Sequence, residues 1–399
     1  MIEYPSSITK PKGFLAAGVR AGIKEKGEDL ALIVSEQPAS IAGVFTKNVF
    51  KAAPVQVCIS RIPRATARAI VANSGNANAC TGKVGIEDAR RMIVEVASRL
   101  NVPEEDVFVA STGVIGQRLP MQKILKGIDL AVSSLSKNGG SKAARAIMTT
   151  DTRPKEAEVE FDIGGVRATI GGIAKGAGMI CPNMATMLAF LTTDVAITPT
   201  MLQIALSRST EISFNCLTVD GDTSTNDSVF ILANGVAGNP VINAEDEVFQ
   251  VFQQHLDAVT TKLARQIAAD GEGATKTVSV TVKGAKSFED CRQIAKTIAN
   301  SPLVKTAMFG CDPNWGRVIA AAGRAGVEFD PNVVSLYFGD ILIIENGEPV
   351  VFSEAEARKY LSGKDVLITL NVGSENWSAT IWTCDFSYDY VKINAEYHT

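Results

Sequence analysis

The chain has 399 residues, enough for two or three domain-sized units with ample buried core. Its formal charge of −4 comes with scattered basic residues, so no electrostatic footprint for nucleic acid appears. Seven cysteines (Cys58, Cys80, Cys181, Cys216, Cys291, Cys311 and Cys384) without a C-x-x-C pair, and only His255 and His398, disfavour a disulfide framework, a zinc cluster and a histidine-based triad.

The opening "MIEYPSSITKPKGFLAAG" has neither the basic start and apolar core of a signal peptide nor the Arg-rich character of a transit helix. With no apolar run long enough for a bilayer, a soluble cytoplasmic protein is expected. "ARRMIVEVASRL" carries apolar residues at Ala89, Met92, Ile93, Val96, Ala97 and Leu100, the spacing of one buried helix face, and Asn101 and Pro103 stop it. "VFVA" (107–110) reads as a short buried strand running into a turn-rich "STGVIG" loop. "VEFDIGGVRATI" (159–170) reads as a hairpin, because a Gly-Gly turn accepts positive φ at little cost.

Thr198 and Pro199 predict a cap and first turn for a helix beginning near Met201. The longest helix is expected from about Glu245 to Ala269, with Val248, Phe252, Leu256, Val259, Leu263 and Ile267 as its stripe and Gly271 as terminator. His255 lies beside that stripe as a boundary packing residue. "TVSVTV" (277–282) alternates as a half-buried strand, and "SFEDCRQIAKTIAN" opens a helix with a capping-box pattern. The irregular alternation of strands and helices predicts an α/β fold of the layered α+β kind, with no flexible linker.

Three motifs fail on inspection. "GNANACTGK" (75–83) lacks the first P-loop glycine, at Ala77, and the hydroxyl residue after the lysine, at Val84. "KGAG" has Cys181 where the dinucleotide fingerprint needs its last glycine. "VDGDTSTNDS" (219–228) has Thr225 and Ile231 where an EF-hand loop needs glycine and glutamate, so it reads as an acidic polar loop.

The scarcity of imidazole focuses attention on "KGAGMICPNMATMLAFLTTD" (175–194), which holds one hydroxyl, Thr186, inside an apolar run. Such a threonine is compatible with simple packing on a half-buried strand. It is also compatible with a nucleophile that carries its own base. Cleavage of the Ala185–Thr186 bond would leave an α-amino group, of unperturbed pKa about 7.7–8.0, next to the hydroxyl. Ala185 is small, so little hinders attack by the Thr186 hydroxyl on its carbonyl.

That stretch closely resembles the K-G-x-G-M-I-x-P-N-M-A-T-M-L signature of ornithine acetyltransferase, the glutamate N-acetyltransferase of arginine biosynthesis. "VFTKNVFKAAPV", "NSGNANACTG", "STGVIG", "MTTDTRPK", "VDGDTSTND", "DGEGATK", "GCDPNWGR" and "INAEYHT" follow in the family's order along nearly the whole chain. The resemblance implies autoproteolysis between Ala185 and Thr186 into an α chain (1–185) and a β chain (186–399) that pair as α2β2. It implies a layered α/β fold of its own topology, with N-terminal-nucleophile-like chemistry. It further implies ping-pong acetyl transfer from N2-acetylornithine to glutamate through acetyl-Thr186, without a metal or redox cofactor, and with acetyl-CoA as an alternative donor in bifunctional members.

Carried over by residue, Thr112 and Gly113 match the family's oxyanion-hole pair, although a plain Thr-Gly turn would look the same. Thr152, Lys175, Glu272, Asn394 and Thr399, with Thr186 itself, match positions that contact the amino-acid substrate. Lys175 suits a substrate carboxylate. Glu272 suits either the ornithine ammonium or proton transfer, and the sequence leaves both open. Ala177 and Cys181 depart from the serine and alanine common in the family, without touching the nucleophile. The competing reading is a self-cleaving aminopeptidase-like hydrolase with the same nucleophile. A third is an uncleaved amino-acid-binding protein.

Overall fold

The computed structural model describes residues 7–181 and 187–396. An eight-stranded sheet dominates: β1 (Phe14–Val19), β2 (Leu30–Phe45), β3 (Arg64–Asn76), β4 (Val107–Val114), β5 (Lys155–Ile163), β6 (Val166–Lys175), β7 (Leu188–Thr193) and β8 (Ser228–Ala233). Their order is β4-β3-β2-β8-β7-β6-β5, with β1 paired to β2. Both faces are covered. Along β7, Leu188 and Phe190 enter one core while Ala189 and Leu191 enter the other, which is why this strand is apolar throughout rather than alternating.

One core is closed by helices Gly82–Leu100, Met121–Ser133 and Gly140–Ala146. The other is closed by Pro199–Ile212 and Glu247–Ala268. A smaller six-stranded sheet, β9 (Thr277–Gly284), β10 (Ser335–Phe338), β11 (Ile341–Glu345), β12 (Glu348–Pro349), β13 (Asp365–Asn371) and β14 (Glu375–Cys384), has the order β12-β11-β10-β13-β9-β14 and a separate core.

The large sheet is built from both sides of residue 186. β8 lies between β2 and β7, and β7 pairs with β6. Segments 1–185 and 186–399 therefore share one sheet and its two cores; the Ala185–Thr186 bond is not a boundary between folding units.

Several local expectations match closely. Asn101 ends its helix in the left-handed region at φ 52°. Gly164 and Gly165, at φ 56° and 82°, make the β5–β6 turn. The Thr198 side chain accepts from the Met201 amide, Asp246 from Phe249 and Ser287 from Asp290, each capping its helix. The Thr198-capped helix starts at Pro199 rather than Met201, and the long helix stops at Ala268. His255 stacks on Phe161 with ring centroids 4.2 Å apart. One expectation is corrected: "STG" is not loop but the end of β4, because parallel pairing with β3 continues through Gly75–Gly113.

Candidate active site

The site forms where β4 and β6 end and β7 begins. Register pairs Lys175 with Leu188 across β6 and β7, and Leu188 with Ser228 across β7 and β8. Met187, immediately before β7, thus enters the sheet beside the last residue of β6. A cavity of about 240 Å³ opens here, lined by Thr112 and Gly113, Thr149 and Thr150, Lys175, Gly178 and Met179, Asp220 and Asp222, Glu272, Tyr390 and Asn394.

Thr112 and Gly113 are held rigidly. Gly113 has φ 132°, and a Cβ there would stand 2.3 Å from the carbonyl carbon of Gly75, so only glycine fits. Asn226 ties the end of β4 to the 220s loop, its amide donating to Ala77 O at 2.6 Å and Ser111 O at 2.8 Å. The "NSGNANACTG" stretch is a polar brace around this corner. Ser111 donates to Asn73 Oδ1, the Asn76 side chain accepts from the Asn78 amide, and Asn78 donates to Gly85 O.

Lys175 is almost wholly buried, and its Nζ donates to Thr112 Oγ1 at 3.3 Å. An oxygen that accepts from an ammonium keeps its own proton for another acceptor, so this lysine readies the Thr112 hydroxyl as a donor. Burial pushes the Lys175 ammonium below its usual pKa, against the opposing pull of Asp151.

Asp151 is the hub beneath it. Its carboxylate accepts from Lys155 Nζ at 2.5 Å, the Gly176 amide at 2.7 Å and the Thr149 amide at 3.0 Å. Burial alone would raise its pKa, but Lys155, Lys175 and these hydrogen bonds hold it down at about 2. Lys155 also reaches Asp270 at 2.5 Å.

Glu272 closes the opposite wall. Its carboxylate accepts from Asn394 Nδ2 at 2.9 Å and lies directly over Gly178, where a Cβ would stand 2.4 Å from the carboxyl carbon. The backbone turn at Gly273, φ 67°, lets the C-terminal helix (Tyr388–Glu396) approach and carry Asn394 and Tyr390 over the cavity. Asp220 accepts from the Met179 and Ile180 amides at 2.6 and 2.8 Å, fixing the loop after Lys175. Burial, with Asp220 and Glu272 nearby, pushes the Tyr390 phenol well above its ordinary range.

Of the expected site residues, Thr112, Gly113, Lys175, Glu272 and Asn394 converge on this cavity. Thr152 sits just outside it, exposed, with its hydroxyl and amide engaged by Asp270, and lines the neighbouring groove under the C-terminal helix. Thr149 and Thr150 of the same segment face the cavity instead. Ala185, Thr186 and Thr399 lie outside the described residues.

Asp151, Lys155, Asp220 and Tyr390 were not singled out from the sequence. The first three do fall inside "MTTDTRPK" and "VDGDTSTND", whose density of polar residues is the signal that was there to find. Among the described residues, no group of three or more His, Cys, Asp or Glu is placed to hold a metal ion, and no helix is long and apolar enough to cross a membrane.

Comparison with known proteins points to one family. The profile of the ArgJ family matches residues 15–399. A protein named arginine biosynthesis bifunctional protein ArgJ from Symbiobacterium thermophilum is 51% identical over 395 residues, covering 98% of each chain. One of the same name from Caldanaerobacter subterraneus is 50% identical over 396 residues, again covering 98% of each. The crystal structure of arginine biosynthesis bifunctional protein argJ from Bacillus halodurans is 44% identical with a TM-score of 0.51, the match covering 98% of that chain and 52% of this one. The chain belongs to the ArgJ family.

Proposed function

We propose that this chain is the acetyltransferase of arginine biosynthesis that moves acetyl from N2-acetylornithine to glutamate. It cuts itself between Ala185 and Thr186 and uses the new N-terminal threonine as nucleophile. The observation that carries the reading is the convergence of the Thr112–Gly113 corner, buried Lys175 and Glu272 beside the start of β7, two residues after Thr186 in the chain. The Bacillus halodurans structure adds support: nearly all of that chain matches just over half of this one, the length expected of the larger product of such a cut.

The chemistry follows from the groups present. Thr186 Oγ attacks the acetyl carbonyl while its proton passes to its own α-amino group. The Thr112 hydroxyl and the Gly113 amide receive the developing oxyanion, a role in which one donor is worth about 10²–10³ in rate. The amide C–N bond breaks, the ornithine nitrogen takes the proton and ornithine leaves. Glutamate nitrogen then attacks the acetyl ester, N-acetylglutamate departs and the threonine hydroxyl regains its proton. Lys175 faces a substrate carboxylate, and Glu272 with Asn394 faces the ornithine side-chain ammonium.

The relatives are named bifunctional. The second activity we assign is acetyl transfer from acetyl-CoA, as co-substrate, to glutamate. The processed chains assemble as α2β2.

Intact mass tests the cut: the wild type yields two fragments and Thr186→Ala a single full-length chain. Two fragments from Thr186→Ala would defeat self-cleavage. Acetate release from acetylornithine at a rate indifferent to glutamate would replace the transferase with a hydrolase.

A further inference from the structure

The reaction proposed above asks one cavity to hold two side chains of opposite charge in turn. Acetylornithine ends in an ammonium and glutamate in a carboxylate. The cavity wall around Tyr390 suits the first of these, because Glu272, Asp220 and Asp222 all line it. A carboxylate entering among three others is repelled unless a hydrogen-bond donor meets it there.

Asn394 is not that donor: its amide gives one N–H to Glu272 Oε2 at 2.9 Å and the other to Tyr390 O at 3.0 Å. Thr149 and Thr150 lie beside Asp151 on the Lys175 side, and Ser224 Oγ is held by the Asn226 amide at 3.1 Å. Tyr390 is placed differently. It is half-buried on the C-terminal helix and stands among the three carboxylates, and its hydroxyl makes no hydrogen bond among the described residues. Its ring is fixed, stacked on Phe386 with centroids 4.5 Å apart, while buried Lys305 places its Nζ 4.5 Å from the centre of the Phe386 ring. A hydroxyl on a fixed ring is a preorganised donor. Burial, with Asp220, Glu272 and Asp222 around it, raises the phenol far above its ordinary range, so it keeps its proton.

We propose that Tyr390 is the specificity-determining residue for the acceptor: its hydroxyl donates to the side-chain carboxylate of the incoming glutamate, inside a wall otherwise suited to an ammonium. This rests on the ping-pong acetyl transfer proposed above. In the first half-reaction the ornithine ammonium meets Glu272, and the phenol is a neutral neighbour that does not repel it. Once ornithine has left, the glutamate carboxylate takes the same place and receives the phenol proton as a hydrogen bond. A lysine or arginine at this position would bind glutamate but exclude ornithine; a neutral donor serves both.

Tyr390→Phe keeps the ring and the Phe386 stack and removes only the hydroxyl. Two rates are compared in wild type and Y390F: acetyl transfer from acetylornithine to glutamate, and exchange of label from free labelled ornithine into acetylornithine. Exchange uses ornithine as the acceptor and needs no site for a side-chain carboxylate. The expected Y390F enzyme loses about tenfold to a hundredfold in kcat/KM for glutamate. Its kcat/KM for acetylornithine and its exchange rate stay within about threefold of wild type, since no charge is removed.

Both rates are read on one sample, so their ratio does not depend on the fraction of active enzyme. A ratio of transfer to exchange equal to that of wild type overturns the assignment, whether both rates fall or neither does. A ratio moved towards glutamate overturns it as well. Failure of the underlying reading shows separately, as wild-type enzyme that exchanges no label at all.

Discussion

Two lysines twenty residues apart, both fully enclosed, show how differently one side chain can be used. Lys155, at the start of β5, sits between two carboxylates, Asp151 and Asp270, each 2.5 Å from its Nζ. Lys175, at the end of β6, has a neutral hydrogen-bond partner, the Thr112 hydroxyl at 3.3 Å, and faces the cavity. The first is a closed ion cluster that joins the 149–155 segment to the end of the long helix. The second is a buried cation whose one hydrogen bond among the described residues goes to a neutral oxygen. Asp151 pulls on it only at longer range, so it retains capacity for a substrate anion. A charge removed from water without a bonded counter-ion is unfavourable by itself, and a substrate carboxylate relieves that cost. The difference separates a lysine that holds the fold from one that holds a ligand.

The sharpest way to break this comparison is to truncate each lysine. Lys155→Ala strands Asp151 and Asp270 as buried carboxylates and should lower stability by about 3–5 kcal/mol, measured by urea unfolding. Lys175→Ala should cost clearly less stability, about 1–2 kcal/mol, because the burial it removes partly offsets the lost attraction to Asp151, while kcat/KM falls on the order of a hundredfold. Equal destabilisation by the two variants would erase the distinction.

The pH dependence sharpens it at the next scale. Asp151 is held at about 2, below its ordinary 3.8. A carboxylate with a depressed folded-state pKa contributes stability that is complete above about pH 4 and is lost as pH falls towards 2. The difference corresponds to about 2 kcal/mol. Wild-type unfolding free energies from pH 5 to pH 2 should show this loss, and Asp151→Asn should flatten it. A curve of the same steepness in both proteins would show that the cluster does not depend on this charge.

The smallest expected effect tests the opposite wall. Gly178→Ala would place a methyl group against the Glu272 carboxylate and displace it from Asn394. KM for acetylornithine should rise about tenfold, with KM for glutamate moving less, since the carboxylate is assigned to the ornithine ammonium. A change shared equally by both substrates would remove Glu272 from that role.

Local features were legible from residues alone, because their causes are local. The helix ended by Asn101, the Gly-Gly turn of β5 and β6, and the caps at Thr198 and Ser287 follow from spacing and from side chains reaching backbone amides a few residues away. The end of β4 was misread as a loop because Thr112 and Gly113 look like turn residues. Their extended pairing depends on β3, nearly forty residues earlier.

By itself the sequence determined the element types, the poverty of histidine, and a whole-chain set of motifs that pointed to the ArgJ family and to Thr112, Gly113, Lys175, Glu272 and Asn394. Tertiary structure alone decided that β8 inserts between β2 and β7, so that segments on both sides of residue 186 share a sheet. It alone made Lys155 a closed ion cluster, left Lys175 open to the cavity, and set Asp227 against the Met187 amide. The physical reason is that a charge acquires its role from what surrounds it. Burial and partners such as Asp270 of Lys155 and Thr112 of Lys175 come from strands and loops 115 and 63 residues away, which spacing along the chain does not encode.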